Sequence, residues 1–432
     1  MKRIKRLKLP KSFTLNGLII FVALFCVSTF AFLEHTSISI GYFSVVKLPL
    51  MYLGFACIFT QIKTISRCLF KKSKFYTLLA LALFCVLLII SMFANRGSQF
   101  DNSPLRYTVR FLLYLVELFL LMIIIAETGR VKAALNFLFW YLMLITAVND
   151  VLMFTQVIRF AVGSYESYLV GTKFSVSYLH MNLLTMWVMR RTYNGGGRNV
   201  SRWKVILAAV FIVLVAGRVD CVTGVLGCMM LVVLFALLRD PRRGKKLKLL
   251  SPWTLLLVMV ASVLFVFVAD AITQIPLVKF VVEDILHRDT SITGRTNIYQ
   301  MYVANLQGHW LTGYGYGNGN DASMTLFGYE NVQNGILQWV LQVGVPATIG
   351  MVATMMQVFR LANRSLPEKR ARMMPLVALI YMYIVLGTIE TTFNMAFFMW
   401  FAMMYMLANE KLRRPAPVPE MALQEPETEA GA

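Results

Sequence analysis

The sequence predicts an all-α polytopic membrane protein with about twelve transmembrane helices and one long external loop. Three observations carry that expectation. Of 432 residues, 58% are hydrophobic and only 15% charged. The apolar residues come in unbroken runs of about 18 to 22, the length a helix needs to cross hydrocarbon. Lys and Arg concentrate in alternate connecting segments. Stretches such as VILAAVFIVLVAG and TLLLVMVASVLFVFVA are continuous, whereas a spanning β-barrel alternates apolar and polar residues in shorter strands.

Taken in order, residues 1–13 form a basic amino-terminal segment, and the first apolar run after it lacks an A-x-A cleavage pattern, which reads as a retained span. Spans follow at 14–33, 43–61, 76–94, 107–126, 134–157, 170–189, 205–217, 221–238 and 252–272. Residues 273–332 make the external loop, spans resume at 333–358, 373–390 and 393–409, and 410–432 is a Pro- and Glu-rich tail read as disordered. With both termini cytoplasmic, roughly three quarters of the 42 Lys and Arg residues fall in cytoplasmic segments, as the positive-inside rule requires. The net charge of +21 is therefore topological, suits anionic lipid surfaces, and gives no reason to invoke nucleic acid. Six cysteines without a CxxC pair read as small core residues, neither disulfide framework nor zinc site.

Two places break the pattern of short loops. Spans seven and eight are joined by the tight turn Gly217, Arg218, Val219, Asp220. The long external loop carries Ser291, Gly294, Arg295, Asn297 and Tyr299, a helical stretch expected over Asp289 to Leu306, then His309, Trp310, Gly313, Gly315 and Gly317. Asn331, Gln333, Asn334, Gln338, Gly344 and Pro346 follow as the next span begins. Loops of that length between packed spans are usually functional. The glycine run has no strand before it, so it is not a dinucleotide signature. Arg110 lies in an otherwise apolar span with Glu117 seven residues on, on the same helical face. The two either satisfy each other or mark a polar cavity, because an intramembrane charge costs about 2.5 to 3.5 kcal/mol on insertion scales. His180, in the sixth span, reads as a packing histidine or as a base facing a cavity.

The order Gly294-Arg295, a helix, the Gly313 to Gly317 turn, then Gln333-Asn334 and Gly344 resembles the external loop of the O-antigen polymerase/ligase superfamily, of which the Wzy-like polysaccharide polymerases are one branch. The hairpin around Arg218 is similar to that family's arginine-bearing turn. Ligases of the family carry His before Asn where this chain has Gln333, and Gln cannot act as a general base, which favours the polymerase branch. The resemblance implies an enzyme without metal or other cofactor, in the inner or plasma membrane of a bacterium with its active site outside. It joins oligosaccharide repeat units linked to undecaprenyl diphosphate into O-antigen, capsule or exopolysaccharide, alongside a flippase and a chain-length regulator.

In such a reaction guanidiniums hold the leaving diphosphate bidentately, a role for Arg218 and Arg295 with Arg110 as a third candidate. The base comes from Asp220, Glu390, His180 or Asp289. Gly294, Gly313, Gly315, Gly317, Gln333 and Asn334 line the substrate site. Tyr299, Trp310, Tyr314 and Tyr316 either stack on sugar faces or form an interfacial aromatic belt. Two other readings are transfer of a finished glycan to another acceptor, and a transporter or flippase. The last would show broken helices at mid-membrane and paired inverted repeats.

Overall fold

Each apolar run marked above coincides with a helix. The computed structural model describes residues 14–36, 40–69, 71–98, 100, 102–156, 160–162, 165–195, 200–238, 248–273, 275–276, 280 and 293–411. The helices are α1 (Leu15–Phe32), α2 (Phe43–Phe59), α3 (Ile62–Leu69), α4 (Lys72–Ala94), α5 (Pro104–Glu127), α6 (Val131–Thr155), α7 (Lys173–Gly195) and α8 (Arg202–Arg218). They continue as α9 (Val222–Leu238), α10 (Pro252–Thr273), α11 (Thr293–Asn305), α12 (Gly319–Phe327), α13 (Gly335–Asn363), α14 (Pro367–Leu386) and α15 (Met395–Asn409). A short antiparallel hairpin, β1 (Phe160–Val162) with β2 (Tyr165–Ser167), links α6 to α7. The tail beyond Lys411 and Asp289 lie outside the described residues.

By length and composition α1, α4, α5, α6 and α13 can cross a membrane. A sixth crossing results if α2 and α3, bent by 69° where they meet, form one broken span. Among the described residues the count falls short of the twelve expected, and for four of the remaining expected spans the reason is physical. Helices α8 and α9 have only 17 residues each and α15 has 15, while α14 opens on Glu368, Lys369, Arg370 and Arg372. The outward faces nonetheless stay apolar: Leu79 and Leu83 on α4, Leu144 and Val151 on α6, Leu207 and Leu214 on α8, and Leu257 and Leu264 on α10 are all exposed. Such a continuous apolar surface belongs against lipid.

Helices α14 and α15 form the centre, buried on nearly every side, with α1, α5, α7, α9, α10 and α13 packed around them. Polar groups inside are tied across helices. Tyr114 donates to Met395 O (2.8 Å), Tyr141 to Thr29 Oγ1 (2.9 Å) and the Trp339 indole to Phe393 O (3.1 Å). At one end Glu127 takes Lys71, Lys74 and Lys411, Glu410 takes Arg372 and Tyr193, and Arg130 reaches Thr14. Both ends of the described chain therefore meet at one basic end. The Glu127 hydrogen bond raises the Lys411 ammonium above the usual lysine value.

Helix α13 is interrupted at Gly344, whose φ of 79° and ψ of 171° lie outside any helix and outside the range of an L-residue, and Pro346 follows it. The groups freed by the break are taken by the turn 310–317. Tyr314 and Gly315 donate their N–H groups to Leu341 O (2.9 Å) and Gln342 O (2.8 Å), and Val345 N–H donates to Trp310 O (2.8 Å). The turn is clamped from the other side by Ser91 and Asn95 of α4 and its end, which both donate to Thr312 O (2.5 and 3.2 Å).

Candidate functional site

At the end of the bundle opposite the basic one, three connections converge. The α8–α9 link is only Val219 to Cys221, closed by Asp220 N–H to Gly217 O and Cys221 N–H to Ala216 O, with Asp220 in the left-handed region (φ 51°). That backbone turns the Asp220 side chain outward, 72% exposed, where Lys173 at the start of α7 approaches it at 3.8 Å. In the first turn of α9, Thr223 Oγ1 donates to Glu390 Oε1 (3.3 Å), which brings the α14–α15 connection to the hairpin. The close approach of α7 is possible because residue 224 is Gly: a Cβ there would lie 2.4 Å from Ser177 Oγ. Arg218 stands exposed beside Asp220.

The same connection continues to the start of α13. Asn334 caps that helix, its side-chain oxygen accepting from Ile336 and Leu337 N–H while its amide donates to Ser262 O (3.2 Å) and Thr388 O (3.3 Å). Gly335 N–H donates to Gly387 O (2.7 Å) and Thr388 Oγ1 to Ser262 Oγ (3.1 Å). Lys173, Asp220, Thr223, Glu390, Thr388 and Asn334 thus form one row at this end of the bundle. It offers carboxylates that can accept a proton beside cations that can hold an anion. Asn334 is fully buried and acts through the backbone it ties, while Gln333 next to it is partly buried, with φ 55°, and its carbonyl accepts from Tyr299 (3.3 Å).

Other expected site residues lie elsewhere. His180 sits two turns further along α7, buried, with Nδ1 on Val176 O (2.8 Å) and Nε2 on Asp150 Oδ2 (3.0 Å). Gly313, Gly315 and Gly317 meet the protein itself: a Cβ would come within 2.5 Å of the Gln342 backbone, 2.7 Å of Pro104 and 2.5 Å of Tyr107. Tyr314 stacks on His309 (4.0 Å) and Tyr316 on Phe111 (4.7 Å), so one face of each ring is already used. Burial raises the Tyr302 and Tyr314 phenols above the usual tyrosine value, so both stay hydroxyl donors, to Leu337 O and Asn305 O. Trp310 is 37% exposed. Arg110 makes no ion pair with Glu117; its Nη2 and Glu117 Oε1 are both buried without a hydrogen-bond partner. Arg295 and Gly294 fall in the first turn of α11, and their side-chain surroundings lie outside the described residues.

Sequence reasoning missed Lys173, Thr223 and Asp150. Lys173 carried a usable signal, since it is one of the few cations on the cation-poor side of the expected topology. No group of three or more metal-binding side chains gathers among the described residues.

The family model described as O-antigen ligase (Wzy_C) matches residues 205–352, about a third of the chain. That segment runs from α8 through the Arg218 hairpin and α11 to the α13 break, and it is the part on which the resemblance to the O-antigen polymerase/ligase superfamily rested. The search of curated proteins gave no match.

Proposed function

We propose that this chain, which carries the O-antigen polymerase/ligase segment at residues 205–352, polymerises oligosaccharide repeat units borne on undecaprenyl diphosphate at the outer face of a bacterial plasma membrane. In each step an acceptor hydroxyl attacks the anomeric carbon of the donor's reducing-end sugar, the bond from that carbon to the diphosphate oxygen breaks, and polyprenyl diphosphate leaves. Arg218 and Arg295 hold the diphosphate and offset the charge that develops on it. Glu390 or Asp220 takes the hydroxyl proton. The observation that supports this reading is the meeting of Glu390, from the α14–α15 connection, with the Arg218–Asp220 hairpin of the matched segment through Thr223. His180, paired with Asp150 inside the bundle, supports the site from below. A flippase supplies the donor and a chain-length regulator limits the product.

The test is the purified protein in liposomes with lipid-linked repeat units. A ladder of chain lengths with release of polyprenyl diphosphate is expected. Arg218→Ala and Arg295→Ala should each cut the rate roughly ten- to a hundredfold, the loss of about 1.5 to 3 kcal/mol of charge-assisted bonding in the transition state. Their combination should lose less than the product of the two. Either single variant at the wild-type rate would remove that arginine from the site. The family description favours a second reading, transfer of a finished glycan to a different acceptor. A single long product on an added acceptor, with no ladder, would establish that instead.

A further inference from the structure

Between α2 and α5 lies an open cavity of ≈ 390 Å³ lined by Ser44, Val45, Leu48, Pro49, Tyr52 and Arg106. Arg110 follows Arg106 by one turn of α5, on the same face. Arg106, Tyr107, Tyr52 and Lys47 of α2 are close enough to Arg110 to interact with it electrostatically. Neither arginine makes an ion pair among the described residues, and Arg110 Nη2 is buried with no partner. Lys47 itself is partnered: its ammonium donates to Glu34 O and feels the Glu34 carboxylate, which accepts from Met395 N–H through Oε2 (3.2 Å). Two guanidiniums one turn apart, with no ion pair among the described residues, repel each other unless an anion joins them.

We propose that this groove holds the diphosphate of a second polyprenyl-linked glycan, the acceptor, with Arg106 and Arg110 dividing its two phosphates and the isoprenoid tail lying on the apolar wall of Val45, Leu48 and Pro49. The inference rests on the polymerase reading, in which one lipid-linked chain is transferred to another and both headgroups must be held at the same depth of the bilayer. Charge selects the diphosphate. Two guanidiniums match two phosphates, whereas the headgroup of phosphatidylglycerol carries a single negative charge. Position agrees: the same turn of α5 supports the loop of the matched segment, with Pro104 under Gly315 and Tyr107 under Gly317. The acceptor's sugars therefore emerge beside the loop that leads into the hairpin site.

Native mass spectrometry of the full chain, with sugar-free undecaprenyl diphosphate as the probe, separates this site from catalysis. Wild type should bind two lipids. Arg106→Ala with Arg110→Ala should retain one, the other weakened at least about tenfold, the equivalent of one lost charge-assisted bond. Val45→Trp, which fills the groove and keeps both arginines, should give the same loss, and Arg218→Ala should weaken the other lipid instead. A single lipid on wild type, or a second lipid unchanged in both groove variants, overturns the proposal. So does displacement by equimolar phosphatidylglycerol, which would make the groove a general phospholipid site. If wild type binds two lipids but makes no polymer, the groove stands and the polymerase reading falls; a ladder from a protein that binds one lipid has the opposite meaning.

Discussion

A carbonyl oxygen only accepts, so His180 Nδ1, facing Val176 O, must carry a proton, and the contact of Nε2 with Asp150 Oδ2 is held by one more proton between them. Losing Asp150 leaves the buried His180 Nε2 unsatisfied, and losing His180 takes from the partly buried Asp150 its Oδ2 partner. Asp150→Asn and His180→Gln should each cost about 1 to 3 kcal/mol of stability, with the double variant costing less than their sum; thermal unfolding in detergent measures both. Additive losses would mean that the two side chains do not act as a pair. Glu390 makes a different prediction. Glu390→Gln keeps the Thr223 bond and loses the base, so kcat should fall about a hundredfold or more with KM little changed, while Thr223→Val should cost far less. If Glu390→Gln turns over normally, Asp220 is the base. The sequence pointed to His180, Asp220 and Glu390 as titratable groups near or within apolar spans. It could not pair them, because Asp150 lies 30 positions from His180 and Thr223 lies 167 from Glu390. Of the cations in the two clusters, Arg110 and Arg218 stand out in the sequence, whereas Lys47, Arg106 and Lys173 do not.

The break in α13 is the element on which the end of the molecule opposite the basic one is built. Broken helices also serve transporters, where the freed backbone lines a cavity for the cargo. Here the freed carbonyls at 341 and 342 are occupied by the protein's own turn, which supports an enzyme scaffold over a transport path. The fit leaves no room for a methyl group on either side. A Cβ on Gly344 would lie 2.4 Å from Leu311 O, and one on Gly313 2.5 Å from the Gln342 carbonyl carbon, both at positive φ. Gly344→Ala and Gly313→Ala should therefore each lower stability by about 2 to 4 kcal/mol, from backbone strain plus overpacking, and the pair should be less than additive because both open the same seam. Unfolding midpoints at wild-type level would show that the turn is not wedged there. Gly344 and Pro346 stood out in the sequence as a motif, and the glycines of the turn as a separate one. That the second fills the first was not legible, because hydrogen bonds between backbones leave no trace in side-chain chemistry.

Across the whole molecule the apolar runs located the helices well, since burial in lipid is written in composition, and five or six of those helices are long and apolar enough to span by themselves among the described residues. The sidedness rests on charge alone and has a direct check. Reporters fused after residues 40, 100, 164 and 300 should lie outside and those after 68, 196, 245 and 366 inside; one reproducible inversion would require redrawing the path of the chain. The wedge in α13 also bears on how the protein is made. A helix with two bare carbonyls costs several kcal/mol per group in hydrocarbon, so α13 is a poor passenger for the translocon by itself. Its partner turn is encoded just upstream and leaves the ribosome first, so the two can close on each other before either meets lipid. Shortening the segment between Gly317 and Gly335 would separate those events, and the damage would appear at birth, as failed insertion.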